Sequence, residues 1–230
     1  MENVCGRQRA SSRARDHFMK QTRLAISAVL LAALAALHAA DAPAKLPTLT
    51  LPVRVHLVQS DTMPAMHTTL VESDIRRIFG KVNMVWAQAG IQFEIESIVP
   101  TKAIPPKPEM QTKPEFDRVH AMIPKERLSP TALNVCYVKE VKPNGFYYGE
   151  PVVVKDTASL REVKGGLDEP LPRVTSHEIG HALGLKHRQD TTNLMASGTT
   201  GFSLNDAEIA IAREKAQERS IAAKAGDSRR

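Results

Sequence analysis

Apolar and polar positions alternate along Leu51–Gln59 (LPVRVHLVQ), a β-branched run that predicts a first strand. From Glu72 or Ser73 the period lengthens. Ile75, Ile78, Phe79, Val82 and Trp86 recur at three- and four-residue spacing, one face of a helix that Gly90 closes. Ile91–Val99 alternates again and predicts a second strand. Pro100 to Pro114 is proline-rich, which predicts an extended, solvated connection, either a plain linker or a lid. Glu115–Ile123 reads as a short helix and Leu133–Val141 as a third strand. Pro143-Asn144-Gly145 has turn chemistry, and Phe146–Gly149 and Val152–Lys155 follow as two more short strands. Gly165-Gly166 and Pro170-Leu171-Pro172 precede a helix placed near Arg173–Gly184. Asn205-Asp206-Ala207-Glu208 has capping-box chemistry and opens a C-terminal helix running to about Ala225. No internal repeat is visible. This order predicts an α+β domain with a mixed, twisted sheet and a cleft between two unequal lobes. The 188 residues after Ala42 suffice for one core and no second domain, so residues 43–230 are expected to form it.

The segment before that domain has a different character. Leu24–Leu37 is apolar, Lys20 and Arg23 precede it, and small residues follow at Ala39, Ala40 and Ala42. Residues 1–42 thus read as an export signal with cleavage near Ala40 or Ala42, and Pro43 disfavours the second site. An uncleaved anchor and a core helix are the competing readings, and the run is shorter than the ~20 apolar residues of a span. Residues 1–18 lengthen the basic region unusually and read as an over-extended start. The expected location is secreted or periplasmic, with no stable membrane association after cleavage. Residues 1–42 hold six of the 31 Lys/Arg and three of the 25 Asp/Glu, so their removal lowers the formal net charge from +6 to +3. No cluster of basic residues with interleaved aromatics remains, which argues against nucleic acid as a partner. Cys136 is then the single cysteine, in an alternating run, so no internal disulfide forms. It reads as a buried small hydrophobe, against a free thiol or a dimer bridge.

The densest chemistry lies in His177-Glu178-Ile179-Gly180-His181-Ala182-Leu183-Gly184-Leu185-Lys186-His187. His177 and His181 are four apart and share one helix face, so their nitrogens can meet on one metal at the ~2.0–2.1 Å of a zinc–imidazole bond. Glu178 projects beside them, where a carboxylate can take a proton from zinc-activated water. Gly184 stands where the helix must stop for His187 to swing back as third ligand, and glycine tolerates the left-handed turn such stops use. Three protein ligands leave a coordination position open, the mark of a catalytic site for one zinc ion. The competing reading is a solvated helix with incidental histidines. His56, His67 and His120 lack ligand spacing and read as structural or surface residues.

The extended motif, with Met195 eight residues past His187 in Asn193-Leu194-Met195-Ala196, resembles the metzincin zinc metallopeptidases, and the short spacing to the methionine is similar to the matrixin branch. No tyrosine follows Met195, unlike astacins and serralysins, and the paired cysteines of archaemetzincins are missing. Arg188 departs from the main branches. The resemblance implies a two-lobed catalytic domain and a secreted endopeptidase acting on polypeptides. A monomer is expected. The resemblance also puts Met195 beneath the zinc as an apolar floor; an ordinary core methionine is the alternative. Ser197, Gly198 and Thr199 fall in the segment that walls the main specificity pocket of relatives, or else form a solvated loop. Tyr147 and Tyr148 either stabilise the oxyanion or pack the strand. Gly145-Phe146-Tyr147-Tyr148-Gly149 corresponds to the edge strand on which substrate lies. A zinc hydrolase of a non-peptide bond and an inactive zinc-containing binding protein remain as alternatives, though only chemistry needs Glu178.

Overall fold

The computed structural model describes residues 46–227; the segment read as an export signal lies outside the described residues. The chain runs β1 (Leu49–Gln59), α1 (Glu72–Trp86), β2 (Ile91–Lys102), α2 (Glu115–Met122), β3 (Leu133–Val138), β4 (Gly145–Tyr147), β5 (Val152–Lys155), α3 (Pro170–Ala182) and α4 (Asp206–Asp227). The strands form one five-stranded sheet ordered β2-β1-β3-β5-β4. Its first four strands are parallel and β4 pairs antiparallel with β5, leaving β2 and β4 at the edges. The expected α+β class with a mixed sheet is therefore observed.

Alternation decides which side chain enters which layer. Val135 and Tyr137 of β3 join the core beneath α1, α3 and α4, whereas Cys136 and Val138 join a smaller cluster with Val119 and Ile123 on the other face. Both faces are covered, so every residue of β3 is buried. Cys136 is fully buried, and burial pushes its thiol well above the ordinary range, as expected of an inert packing residue. Helix α1 buries Ile75, Ile78, Phe79, Val82 and Trp86, the five positions that carry its period. Each is worth roughly 1.5–3 kcal/mol of removed apolar surface, which outweighs weak helix propensity.

Three of the boundaries that differ from expectation have a physical reason in the structure. The stretch from Pro100 does not begin as a solvated linker: β2 continues through Pro100, paired with Leu57, to Lys102. Proline is tolerated there because β2 is an edge strand. Strand β3 ends at Val138 and not Val141, because the Glu140 N–H leaves the ladder for the Ala65 carbonyl at 2.8 Å. Helix α3 includes Pro170 and Pro172, since first-turn positions need no intrahelical N–H. Among the described residues, no helix is long and apolar enough to cross a membrane.

Candidate metal centre

Helix α3 carries the motif between β4 and β5 on one side and the chain that follows it on the other. Its start is tied to α1 by Glu169 and Asp168, which pair with Arg77 and Lys81. Its middle is fixed by Thr175, whose Oγ1 bonds the buried Tyr137 hydroxyl at 2.9 Å. Its end is a Schellman turn. The Leu185 N–H donates to Gly180 O (2.9 Å), the Gly184 N–H donates to His181 O (3.0 Å), and Gly184 takes φ +85°. This reversal returns His187 to the helix face bearing His177 and His181.

The ring nitrogens of His177, His181 and His187 converge within 4.8 Å of one another. His177 Nδ1 donates to the Leu194 carbonyl (2.8 Å) and His181 Nδ1 to the Leu185 carbonyl (2.9 Å). A carbonyl only accepts, so both rings hold their proton on Nδ1 and present the Nε2 lone pair. His181 Nε2 lies 3.1 Å from His187 Nε2. Two bonds of ~2.0–2.1 Å at a tetrahedral angle would place two nitrogens roughly 3.3 Å apart, so this donor set fits zinc. Burial pulls the His177 imidazole down to about 3 and lowers that of His181, which keeps both in the neutral form a metal requires.

Glu178 is buried beside this cluster, and burial pushes its carboxyl up to about 8, against the opposing pull of Arg173 and of a backbone hydrogen bond from Tyr147. A dication held by the three rings would favour its ionised form. Met195 is fully buried, and its sulfur packs against Gly180, where a Cβ would come within 2.6 Å of it. Gly180 is therefore what lets the Met195 side chain lie against α3. His56 and His120 stand apart from the cluster, His56 bonded to Thr101 and Asn134, and His120 to the Pro151 carbonyl. His67 likewise bonds the Ser60 backbone.

A cleft of about 190 Å³ opens over the centre, lined by Gly145, His177, Glu178, His187, Ser197 and Gly198 among others. Ser197 and Gly198 thus face the cleft. Thr199 does not: it is buried, with its hydroxyl donated to the Thr191 carbonyl at 2.7 Å. The segment is an ordered wall, strapped by Arg161 N–H to Gly198 O (2.9 Å) and Leu167 N–H to Thr200 O (2.8 Å). Tyr147 closes β4, half-buried, with its backbone N–H directed at Glu178. Tyr148 lies beyond the strand, 69% exposed, its ring tilted against that of Phe116 and not lining the cleft. Gly145 lies hard against its neighbours: a Cβ there would meet Glu178 Cγ on the helix and Val153 O on β5, each at 2.9 Å.

Two side chains have tasks that were not read from sequence. Arg173, 1% exposed, donates from Nε to Gly201 O (2.8 Å) and from Nη2 to the Asn193 and Ala196 carbonyls, holding the wall to α3. Its place four residues before His177, on the same face, was the available signal. Glu208, also buried, accepts from Arg188 Nε (2.7 Å), Asn193 Nδ2 (2.8 Å) and the Asn205 N–H (2.9 Å). Asn193 Oδ1 in turn accepts the Met195 N–H at 2.7 Å. Arg188, the residue out of pattern, therefore fastens the chain after His187 to α4.

The family model for the matrixins matches residues 59–214. No curated protein matches the chain. Among solved structures it is similar to a chain of a chaperone–substrate complex, at 12% identity and TM-score 0.49 over 77% of this chain and 36% of that one. It is similar to archaemetzincin from Methanopyrus kandleri at 12% identity and TM-score 0.42, over 76% and 96% of the two chains. It is also similar to metalloproteinase-II from Bacteroides fragilis at 15% identity and TM-score 0.46, over 74% and 54%. The first and third are longer proteins, of which this chain corresponds to a part.

Proposed function

The chain belongs to the matrixin family of zinc metallopeptidases, and from that premise we propose that it is an exported endopeptidase that hydrolyses internal bonds of extended polypeptides. The observation that carries this reading is the convergence of three histidine nitrogens beside a buried carboxylate at the floor of an open cleft. His177, His181 and His187 would hold one zinc ion. When bound, the ion supplies Lewis-acid activation of water and of the scissile carbonyl. Glu178 accepts the proton of the attacking water and delivers it to the leaving amine. Met195 underlies the three rings as an apolar floor. The substrate lies along β4, an edge strand, and Ser197 and Gly198 bound the space for the side chain nearest the broken bond. The apolar run with Lys20 and Arg23 before it supports export to the periplasm or medium. The enzyme acts as a monomer.

Digestion of an unfolded protein, read by mass spectrometry, tests this. Internal fragments should appear with wild type, vanish on chelation, and return with added zinc. Glu178→Ala should keep its zinc while losing nearly all turnover, because the base is removed and no ligand is lost. Trimming by single residues from one end would mean an exopeptidase, and wild-type turnover by Glu178→Ala would remove Glu178 from the mechanism.

A further inference from the structure

We propose that the inner end of the cleft receives a carboxylate held by Arg173, so that substrates with Asp or Glu beside the broken bond are selected. The inference rests on the peptidase reading for the word substrate, but the anion site itself stands on Arg173 alone.

Arg173 lines the cleft together with Leu160, Val174 and Glu178. Its Nε and Nη2 are committed to three backbone carbonyls, while Nη1 makes no hydrogen bond among the described residues. No carboxylate among the described residues forms an ion pair with it; Glu178 acts on it only through space. Burial draws the guanidinium down to about 10, which leaves it charged at neutral pH. Only three carbonyl dipoles and Glu178, acting through space, face this desolvated cation, which is costly to leave without a directly bonded anion. The buried charge of Glu208, by contrast, has its Arg188 partner. The ion expected at the three histidines adds further positive charge, because neutral imidazoles do not cancel it.

Position and shape agree with this. The three carbonyls fix the guanidinium, so a carboxylate meets a preorganised donor. A volume of about 190 Å³ admits one side chain and little more. A long apolar side chain would press on the guanidinium and deepen its desolvation, whereas a carboxylate answers both charge and free N–H.

Two sources supply a carboxylate: an acidic side chain within the substrate, or the free C-terminus of a chain. The zinc-loaded protein should first be given a mixed peptide library. Asp and Glu should be enriched about tenfold or more next to the cleaved bond, the factor expected of one charge-assisted hydrogen bond. Cleavage with apolar or small residues favoured there would overturn the carboxylate site and leave the peptidase intact. In a second arm, zinc-loaded Glu178→Gln protein is titrated calorimetrically with extended peptides differing at one central residue (Asp, Asn or Leu), each with a free or amidated C-terminus. Tighter binding of the Asp peptide regardless of amidation supports the side-chain source. Tighter binding of every free C-terminus supports the anion site with the other source. Equal binding throughout overturns the proposal without any variant of Arg173. Should no library peptide be cleaved while the Asp preference persists, the peptidase reading fails and the anion site stands. Arg173→Met should abolish the preference and Arg173→Lys retain part of it; circular dichroism confirms that each is folded.

Discussion

Gly180 and Gly184 stand four residues apart at the end of α3, and a side chain on either meets a different obstacle. At Gly184 the space is open, with only Ile211 Cγ2 at 3.5 Å, but φ is +85°. The obstacle there is backbone conformation, which Asn tolerates and a β-branched residue does not. Gly184→Val should therefore weaken zinc affinity and cost about 1–3 kcal/mol of stability, while Gly184→Asn stays close to wild type. Chelator competition and urea unfolding read the two quantities, and equal behaviour of Val and Asn would refute the left-handed cap as the reason for glycine. At Gly180 the conformation is ordinary helix and the obstacle is the buried Met195 sulfur. Gly180→Ala should cost about 1–3 kcal/mol by overpacking, a cost relieved when Met195 is also shortened to Ala. Additive effects in that double variant would deny the contact. The two glycines also differ in legibility. Gly184 could be read from spacing, because a chain stop is a local demand. Gly180 could not, since its partner arrives from another segment, and the same holds for the bonds that Arg173 and Glu208 make to the segment after α3.

The edge strand and the C-terminal helix are the two elements that complete the centre from outside α3. Strand β4 is only three residues long, so Tyr148 is not part of it, and proline at position 148 removes no ladder bond. Gly145 is the position that matters. The Lys155 N–H donates to Asn144 O, so ladder alternation turns Gly145 and Tyr147 away from β5, and Gly145 sits hard against Glu178. Gly145→Val must displace either the strand or the carboxylate. We expect kcat/KM to fall on the order of a hundredfold while zinc content is unchanged, as a 1 Å misplacement can cause. Lost zinc, measured by metal analysis, would mean that the damage spreads to the ligands instead. Helix α4 acts through Glu208. Replacing it by Gln keeps the shape but removes the charge that Arg188 faces, while Asn193 keeps an oxygen or loses it according to how the amide turns. Glu208→Gln should cost about 1–3 kcal/mol in urea unfolding and loosen zinc, because one amide oxygen cannot serve both Arg188 and the Asn193–Met195 turn. An unchanged unfolding midpoint would show the pair to be idle. The capping box that includes Glu208 was legible in Asn205-Asp206-Ala207-Glu208, but its second task, gripping the turn around Met195, was not, because capping residues are read from neighbours in sequence alone.

Across the whole molecule, periodicity conveyed the sheet, α1 and the metal helix because each demands a regular pattern of burial. It misplaced the boundaries at Pro100, Val138 and Pro170, where edge position, a tertiary carbonyl and a helix first turn overrode local propensity. It was also silent on charged and polar groups inside the core, and one of them, His56, makes stability depend on pH. His56 lies fully buried in β1, its Nε2 3.2 Å from Asn134 Oδ1 and its Nδ1 2.8 Å from Thr101 Oγ1. Asn134 Oδ1 accepts the Ser129 N–H and its amide donates to the Ser129 and Ala132 carbonyls, which fixes the oxygen towards His56. The neutral ring therefore donates from Nε2 and accepts at Nδ1. Burial is the main reason that its pKa falls from 6.5 to about 4, with Arg54 and Arg127 adding to the shift and the Asn134 bond opposing it. Between those values the unfolded chain binds a proton that the folded chain refuses, so stability rises with pH across that window. Read downward, the contribution is complete above pH 6.5 and is lost as the pH falls towards 4, a change of about 3 kcal/mol. His177 and His181 shift in the same direction, so the wild-type slope alone cannot be assigned to His56. His56→Gln, compared with wild type in urea at several pH values with a chelator present, isolates it. The difference in unfolding free energy between the two proteins should narrow from pH 7 to pH 4, because only wild type pays for refusing that proton. A difference that stays constant with pH would mean that His56 accepts its proton in the folded chain.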